Sequence, residues 1–460
     1  MNRPDFPNYT DILVRRGRPF KRCGKHAVGI NTSFFAEYFL RQFPLKYFDG
    51  LGFVRYSDCW KKLEEAPLLN ELEALTAEVA LDFDLQDDLR ISENDFAQIV
   101  KVIKRRTWEP GHPKPDPDVI PAANVLLRWD EKLLDFEKIE YSPEFFILSR
   151  LPVEYDPAAT APQFEAVLQE ILPDAEDRQK SQEYLGAGLF FENLTRKFLL
   201  CLGEGGCGKT ILSLFMLKLL GAERAHELNI GNAKNPYEFA GLIKQTLLTA
   251  PEAVSRALCT EGAEWVKKLV GGDFFQTQQK FRNARVDHYG TYTLIVMSNH
   301  KLRFQYEGRG DEWRDRVIPI FFDHHIPEDR RELGLVERLF REEGPGIFNW
   351  FLEGARRVRR NNWKIELSPV QRDRIERLLA LSNPMTVFVQ NHIRLYAGKS
   401  FTSAEAWQRY LVIRGEAGLP MLASPNAFFK QLATAMAEIY QTAGVNSLGK
   451  QRGYRGFKLV

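Results

Sequence analysis

The chain has 460 residues, which predicts roughly two to four domains and leaves room for a sizeable core. Its composition is 44% hydrophobic, 27% charged and 12% aromatic, which is ordinary for globular proteins and excludes a largely disordered, collagenous or coiled-coil chain. No apolar run approaches the ~18 residues of a membrane span, and no signal-peptide core follows the charged N-terminus. Five cysteines without a CxxC pair argue against disulfides or structural zinc, so the sequence favours the reducing cytoplasm.

The net charge is only +2, but it is unevenly distributed. Residues 385–460 carry nine Lys/Arg against three acidic residues, and residues 15–25 carry six Lys/Arg in eleven positions. A basic module at the end of a near-neutral chain indicates nucleic acid as a partner. A solvated basic surface explains the same charge equally well.

Hydrophobic patterning predicts a mainly helical region over residues 1–107. The five prolines of residues 108–121 exclude a regular helix or a central strand there and predict a linker or surface loop. Short strands with aromatic side chains are predicted within 124–157. The predicted helical stretches are 70–79, 91–105 and 161–193.

Further along, short apolar runs predict buried strands at 197–202, 246–249 and 293–297. Helical segments separate them, and a glycine-rich stretch with a helix at 211–220 follows the first. Strands that alternate with helices around a glycine-rich loop predict a parallel α/β core.

The glycine-rich stretch GEGGCGKT matches the pattern GxxxxGK[ST] in full. Glycines let the backbone curl so that successive N–H groups face a phosphate, and the following helix directs its positive end at the anion. In this pattern the lysine supplies charge to the terminal phosphates and the Ser/Thr hydroxyl binds Mg²⁺. The sequence therefore predicts a site for ATP or another nucleoside triphosphate with Mg²⁺. Its residues are Gly203, Glu204, Gly205, Gly206, Cys207, Gly208, Lys209 and Thr210.

Nucleotide hydrolysis also needs a group that orients water, usually at the end of a neighbouring strand. Glu252 follows the strand at 246–249 and is the candidate, although Pro251 occupies the place of the usual Asp and weakens the prediction of a metal ligand. An exposed loop glutamate is the alternative. Asn299, at the end of the strand at 293–297, is placed to touch the attacked phosphate or its water.

Basic residues form two further candidate sites. Arg314 and Arg316 flank one position beside a strand, where either would stabilise charge on a neighbouring subunit's nucleotide; ordinary surface arginines are the alternative. The polar stretch QTQQKFRNARVDHYG predicts a hairpin that presents Lys280, Arg282, Arg285 and His288 to a phosphate backbone. The alternative is a hairpin whose charged side chains only face solvent.

The C-terminal end predicts a helix capped by Ser424 over 424–440, followed by a basic wing. A helix with a wing binds duplex DNA through phosphate contacts, here from Lys450, Arg452 and Arg455. The same module can bind protein partners instead, and the positive charge favours DNA.

The order of these motifs along the chain resembles that of superfamily 3 helicases. The motifs are GEGGCGKT, Glu252, EWVKKLVGGD with the basic hairpin, LIVMSN and WRDRVIPI. The resemblance is to the poxvirus primase–helicase type found in phages, plasmids and genomic islands. It extends to GPGIFNWFLEGARRV as a lid helix, to residues 33–193 with Asn124 and EYDPAAT, and to a winged-helix tail. The implied fold is α/β, with an AAA+ P-loop NTPase core, a mainly helical N-terminal region and a C-terminal winged-helix domain.

The resemblance implies five segments and an activity. The segments are a helical region (1–107), a Pro-rich linker with a family-type subdomain (108–193), a motor with its lid (194–358), a linker helix (359–383) and the winged helix (384–460). The implied activity is 3′ to 5′ DNA unwinding by a homohexameric ring that acts on single- and double-stranded DNA, with a separate primase or polymerase as partner. The chain starts directly at the helical region, so no primase domain is expected within it.

Residue roles follow from the same resemblance. The glycine-rich loop holds MgATP, with Thr210 and Glu252 at the metal. Glu252 activates water, Asn299 acts as the sensor, and Arg316 or Arg314 is the arginine finger. Lys267 or Lys268, with Lys280 and Arg282, contacts single-stranded DNA in the ring's channel.

Two other functions fit parts of the sequence. A nucleotide-switched DNA-binding initiator or loader would keep the phosphate loop and the winged helix, and Pro251 would then indicate weak turnover. A small-molecule P-loop kinase fits poorly, because it has no need of a basic hairpin and a winged tail.

Overall fold

The computed structural model describes residues 9–23, 26–49, 51–85, 91–110, 116–232, 242, 245–255, 257–259, 261–278, 285–300, 302–304, 310–382, 384–414, 422, 424–441, 444–448 and 451–460. The chain divides into two compact units, Met1–Tyr155 and Asp156–Val460. Their boundary falls inside the predicted segment 108–193, and the five predicted segments stay predictions. Within the described ranges, no helix combines the length and the apolar character that crossing a bilayer requires.

The first unit combines helices with short strands. Its helices are α1 (Thr10–Arg16), α2 (Thr32–Gln42), α3 (Glu65–Asp82) and α4 (Glu93–Thr107). Its strands are β1 (Phe20–Cys23), β2 (His26–Ile30), β3 (Leu45–Phe48), β4 (Gly52–Tyr56), β5 (Trp60–Leu63), β6 (Trp108–Glu109), β7 (Val119–Pro121), β8 (Leu126–Asp130) and β9 (Asp135–Ile139). The helix predicted at 70–79 lies within α3, and the helix predicted at 91–105 overlaps α4 except for its first two residues.

The strands of this unit pair as β1-β2, β5-β4-β3-β6 and β7-β8-β9. Apolar side chains of the four helices form the main core, including Phe34, Leu72 and Ile99, each of which is fully buried. Strands β6 and β7 each lie at the edge of a sheet. Pro121 of β7 is therefore at a position where a missing N–H breaks no ladder hydrogen bond.

The second unit contains the remaining elements. Its helices are α5 (Pro162–Ile171), α6 (Ala175–Ala187), α7 (Lys209–Leu220), α8 (Glu261–Gly271), α9 (Asp311–Arg314), α10 (Leu335–Arg360), α11 (Pro369–Ser382), α12 (Pro384–His392), α13 (Ser403–Ile413) and α14 (Pro425–Tyr440). Its strands are β10 (Phe198–Leu202), β11 (Ala225–Glu227), β12 (Leu247–Ala250), β13 (Phe274–Gln278), β14 (Arg285–Tyr289), β15 (Thr293–Ser298), β16 (Val317–Phe321), β17 (Ile393–Thr402), β18 (Asn446–Leu448) and β19 (Gln451–Leu459).

A parallel sheet of order β11-β12-β15-β10-β16 forms the centre of this unit. Every residue of β10 and β15 is buried, which explains why both strands are continuous apolar runs and not alternating patterns. Leu199 of β10 pairs with Ile295 on one side and with Ile318 on the other. The predicted strands at 197–202, 246–249 and 293–297 correspond to β10, β12 and β15, so the predicted α/β class with a parallel sheet is confirmed.

Helices α6 and α10 cross with their backbones in direct contact, because glycine occupies both sides of the crossing. A Cβ on Gly354 would overlap the Gln182 carbonyl, and one on Gly186 would overlap the backbone of Phe351 and Ala355. Such an overlap forces the helices apart and disturbs the buried side chains around them.

We therefore expect Gly354→Ala to destabilise the second unit by about 1–3 kcal/mol, the usual cost of overpacking. Thermal unfolding followed by circular dichroism measures the effect. Gly444→Ala is the matched control, since a Cβ there meets no atom within 4 Å. Equal melting temperatures for the two variants would contradict the close-packing argument.

The C-terminal elements follow in the order α12, β17, α13, α14, β18 and β19, with a sheet of order β17-β19-β18. Phe388, Tyr410 and Phe428 are fully buried at the centre of a separate apolar core. Ser424 caps α14 as predicted, because its side chain accepts a hydrogen bond from the Ala427 N–H at 3.2 Å.

Candidate functional site

The strand order of the central sheet reverses between β10 and β15. β10 is the first of the five strands along the chain, yet it lies between the fourth, β15, and the fifth, β16. The chain leaves β10 towards β11 at the far edge, whereas it leaves β15 in the opposite direction towards β16. Open α/β sheets bind their ligands at such a reversal, just outside the carboxyl ends of the strands.

The GEGGCGKT stretch lies at this reversal, between β10 and α7. Gly206 and Gly208 have φ angles of 81° and 79°, in the left-handed region that glycine adopts without strain. A Cβ at Gly208 would lie only 2.7 Å from Ile171 Cγ2. The loop leads directly into α7, whose N-terminal N–H groups favour an anion. Among its other residues, Cys207 is buried, Gly203 is half-buried, and Glu204, Gly205 and Thr210 are exposed.

Lys209 is held in the loop with only 8% of its surface exposed. Its Nζ donates to the carbonyl oxygens of Gly203, at 2.8 Å, and Glu204, at 2.5 Å. Burial lowers the pKa of this ammonium, because the charged form loses hydration. These partners are neutral dipoles, so the positive charge of Lys209 is available to an anion that enters the loop.

The chain that follows β16 lies against the same loop. Ile326 N–H donates to the Gly206 carbonyl at 3.1 Å, which ties the two segments together. Arg331 Nε donates to the Ile326 carbonyl at 2.9 Å, and its Nη2 lies 3.2 Å from His325 Nε2. A Cβ on Gly206 would overlap the Arg331 guanidinium. Sequence reasoning missed Arg331, since nothing in the sequence separates it from its neighbour Arg330.

Glu252 and Asn299 follow the carboxyl ends of β12 and β15, and both are exposed. Two hydrogen bonds hold the loops that follow β12 and β15 together. Ala253 N–H donates to the Met297 carbonyl at 2.9 Å, and the fully buried Ser298 hydroxyl donates to the Ala253 carbonyl at 2.6 Å. The predicted water-activating residue and the predicted sensor therefore stand on adjacent, mutually fixed strand ends.

The two candidate finger arginines differ in their contacts. Arg314 makes a bidentate ion pair with Glu376 of α11, at 2.5 and 2.8 Å, and a second ion pair with Asp311 at 2.8 Å. Its hydrogen bonds with Glu376 raise the pKa of Arg314 above its ordinary value. Arg316 is half-buried, and its Nη1 donates to the Glu312 carbonyl at 2.9 Å. Its buried Nε has no hydrogen-bond partner within the described part of the chain.

The two lysines of α8 also differ. Lys267 is only 20% exposed, pairs with Glu264 at 2.7 Å and lies over the Trp313 ring. Lys268 is exposed and lies over the Trp265 ring. Lys268 is therefore the more accessible cation at this position, and Lys267 is engaged in internal contacts.

The predicted hairpin is present as the antiparallel pair β13 and β14. Phe274 and Tyr289 are register partners at its base, with ring centroids 5.6 Å apart, and both are about half exposed. The sequence does not predict this aromatic pair, because the two residues are 15 positions apart and meet only when the hairpin forms. Lys280 and Arg282 lie outside the described residues, and for Arg285 and His288 only the backbone position in β14 is described.

In the C-terminal module, Arg452 and Arg455 are exposed on β19, and Arg455 Nη2 donates to the Ser447 carbonyl at 3.1 Å. Lys450 lies outside the described residues. Helix α14 exposes a polar face that the sequence analysis did not single out. This face includes Asn426, Lys430, Gln431 and Thr434.

Comparison with known families gives one match. Residues 32–173 match the family model described as D5 N terminal like. Asn124 lies within this D5 N terminal like region, where its side-chain amide accepts from the Tyr155 N–H at 2.9 Å and donates to the Tyr155 carbonyl at 3.1 Å. These bonds connect Asn124 with the stretch EYDPAAT, and both carry the resemblance to the poxvirus primase–helicase type.

Solved structures with a similar fold cover nearly the whole chain. The A form apo structure of the NrS-1 C-terminal region (305–718) has a TM-score of 0.53 at 12% identity, with 93% of this chain and 100% of that chain covered. A second A form apo structure of the NrS-1 C-terminal region has a TM-score of 0.51 at 11% identity, with 92% and 98% covered. At these identities the likeness shows a shared fold.

Proposed function

We propose that the protein is a superfamily 3 DNA helicase that uses ATP, moves 3′ to 5′ and acts as a homohexameric ring in the replication of a phage, plasmid or genomic island. The observation that carries the proposal is the glycine-rich loop at the reversal of strand order in the parallel sheet. Lys209 lies in this loop and donates to two neutral carbonyl groups, and Glu252 and Asn299 extend from neighbouring strand ends.

In this proposal the loop and the start of α7 hold the phosphates of ATP. The Thr210 hydroxyl and the Glu252 carboxylate would hold Mg²⁺, which would compensate the phosphate charge when bound. Lys209 transfers its hydrogen bonds from the loop carbonyls to the terminal phosphates. Glu252 orients and deprotonates water, while Asn299 holds the attacked group. Arg316 reaches the nucleotide of the adjacent subunit.

DNA contacts are assigned to two surfaces. The hairpin grips single-stranded DNA with Lys280, Arg282, Arg285 and His288, and Lys268 adds charge beside it. Phe274 and Tyr289 supply exposed rings on which bases can stack, a contact that tolerates any sequence. The order of elements from α12 to β19 supports a winged helix, in which α14 presents Asn426 and Gln431 to base edges and the wing contacts phosphates.

The decisive experiment is ATP-dependent strand displacement on a labelled fork with a 3′ tail. We expect displacement by the wild type and none by Lys209→Ala, because the variant lacks the charge that binds the terminal phosphates. Displacement that persists in Lys209→Ala would disprove the proposed motor. If the wild type binds duplex DNA but neither displaces a strand nor turns over ATP with single strands present, the initiator or loader function replaces it.

Arg331 provides a second prediction at the same site. Replacing it with alanine should weaken ATP binding about 10- to 100-fold, since a hydrogen bond to a charged group contributes about 1.5–3 kcal/mol. Titration with a fluorescent ATP analogue measures the change. Arg330→Ala is the matched control, because Arg330 is 67% exposed and lies 3.5 Å from Glu170. Equal affinities for the two variants would remove Arg331 from the site.

A further inference from the structure

The first unit carries a group of arginines that the proposed motor does not use. Arg15 and Arg16 of α1, Arg41 of α2 and Arg106 of α4 surround the carboxylates of Asp11 and Glu37. We call these four arginines with their two carboxylates the arginine cluster. It includes the start of the basic stretch 15–25 that the sequence analysis noted.

Glu37 is the centre of the cluster. Its side chain is only 13% exposed, and its oxygens lie 3.0 Å from Arg15 Nη2 and 2.6 Å from Arg16 Nε. Nη atoms of Arg41 and Arg106 lie 3.7 Å away, beyond hydrogen-bond distance. The hydrogen bond from Arg16, with the charges of Arg15 and Arg106, holds the pKa of Glu37 below its usual range, so the carboxylate stays ionised.

Asp11 completes the cluster from α1. It accepts from Arg15 at 2.9 Å and forms a second ion pair with Arg41. Each guanidinium has five N–H donors, and two carboxylates cannot satisfy twenty donors from about four lone-pair sites each. Among the described residues, these two carboxylates therefore leave guanidinium donors to other acceptors, which are water or an incoming anion.

The charges of the cluster do not balance. Four arginines face two carboxylates, and Arg18, Lys21 and Arg105 are exposed on the same or adjoining segments. The pKa of Arg106 is lowered, first by burial and then by the charge of Arg16, so cations repel one another here. An ordinary surface ion-pair network has matched charges and contributes little; this cluster has a surplus that an anion would neutralise.

We propose that the arginine cluster is a binding site for the phosphate backbone of DNA. Planar guanidiniums match phosphate oxygens in bidentate geometry, and the two carboxylates fix their orientation in advance. Three helices contribute to one positive surface, which suits a polyanion better than a single small phosphate. The contact is independent of sequence, because phosphates carry no base information. It does not depend on ATP hydrolysis and stands if the helicase proposal fails.

The test measures DNA affinity of the full chain without nucleotide over a range of salt concentrations. The variant is Arg15→Gln/Arg18→Gln/Arg106→Gln, which leaves Arg16 and Arg41 to neutralise the two carboxylates. The control is Lys62→Gln/Lys132→Gln/Lys138→Gln, with the same charge change on exposed residues of other elements in this unit.

We expect the cluster variant to bind about 10- to 100-fold more weakly near 0.1 M salt. Its slope of log affinity against log salt should fall by about 0.7–0.9 for each phosphate that the variant no longer neutralises. The control should keep the slope of the wild type. If melting shows that the triple variant is unfolded, Arg15→Gln/Arg18→Gln replaces it, because both side chains are exposed and Arg15 belongs to the cluster.

Three outcomes would overturn the proposal. The cluster variant could keep the affinity and the slope of the wild type. The control could weaken binding equally, which would make total charge the cause. DNA binding could stay unchanged while the variant fails to bind polyglutamate, which would identify an acidic protein segment as the occupant.

Discussion

Replacing Arg316 with alanine is expected to abolish ATP turnover in the assembled protein while ATP binding persists. An arginine that reaches a neighbour's nucleotide stabilises charge only in the transition state, and its loss slows phosphoryl transfer by about 10³–10⁵-fold. Arg316 suits this role because its guanidinium makes a single hydrogen bond, to the Glu312 carbonyl, within the described residues. ATPase rates and titration with a fluorescent ATP analogue separate turnover from binding.

Arg314→Ala is the matched control for this prediction. Arg314 is occupied by Glu376 and Asp311, so its removal should affect stability by less than about 1 kcal/mol per exposed pair and leave turnover intact. Loss of turnover in Arg314→Ala with normal turnover in Arg316→Ala would reverse the assignment.

Mixing variants tests whether Arg316 acts across a subunit boundary. A mixture of Lys209→Ala and Arg316→Ala chains should regain part of the ATPase activity that neither has alone. At some interfaces, the intact Lys209 of one chain then meets the intact Arg316 of the other. A mixture as inactive as its components would contradict action in trans.

The sequence predicts those elements whose signals are local. The apolar run of β10 followed by GEGGCGKT indicates both the strand and the helix α7, since strand, turn and helix residues are contiguous. Ser424 predicts the start of α14 for the same reason, because a cap bonds to a residue three positions away. The hairpin of β13 and β14 follows from polar, turn-like residues between two strands.

Contacts between distant segments could not be predicted in this way. The position of Arg331 beside Gly206 depends on the path of the chain after β16, and that path follows from the order of the sheet. The pairing of Arg314 with Glu376 joins residues 62 positions apart. Without that contact, the sequence cannot separate Arg314 from Arg316.

The sequence does not predict the strands between residues 20 and 63, for a related reason. β3, β4 and β5 are four or five residues long, and their burial does not alternate cleanly between the two faces. Period-2 alternation is the main sequence signal of a half-buried strand. The neighbouring helices α3 and α4 dominate the pattern, so the region was predicted as mainly helical.

Replacing Glu252 with glutamine should lower ATP turnover by at least about 100-fold with little loss of ATP binding. The amide keeps the size of the side chain but cannot accept the proton of the attacking water, and general-base catalysis contributes about 10²–10⁴-fold. The side chain is exposed at the strand end, while Ala253 next to it is fixed to β15 by two hydrogen bonds. An accessible carboxylate on a fixed backbone position suits the orientation of water.

Glu227→Gln is the matched control, because Glu227 is an exposed carboxylate at the carboxyl end of the next strand, β11. It lies one strand further from the phosphate loop, so its loss should leave turnover unchanged. Pro251 makes the comparison informative, since it leaves Glu252 as the acidic residue directly after β12. If both variants turn over ATP normally, the base lies elsewhere and the site binds nucleotide without Glu252. If only Glu252→Gln is slow, one carboxylate suffices for hydrolysis, and Pro251 no longer indicates the weak turnover of an initiator.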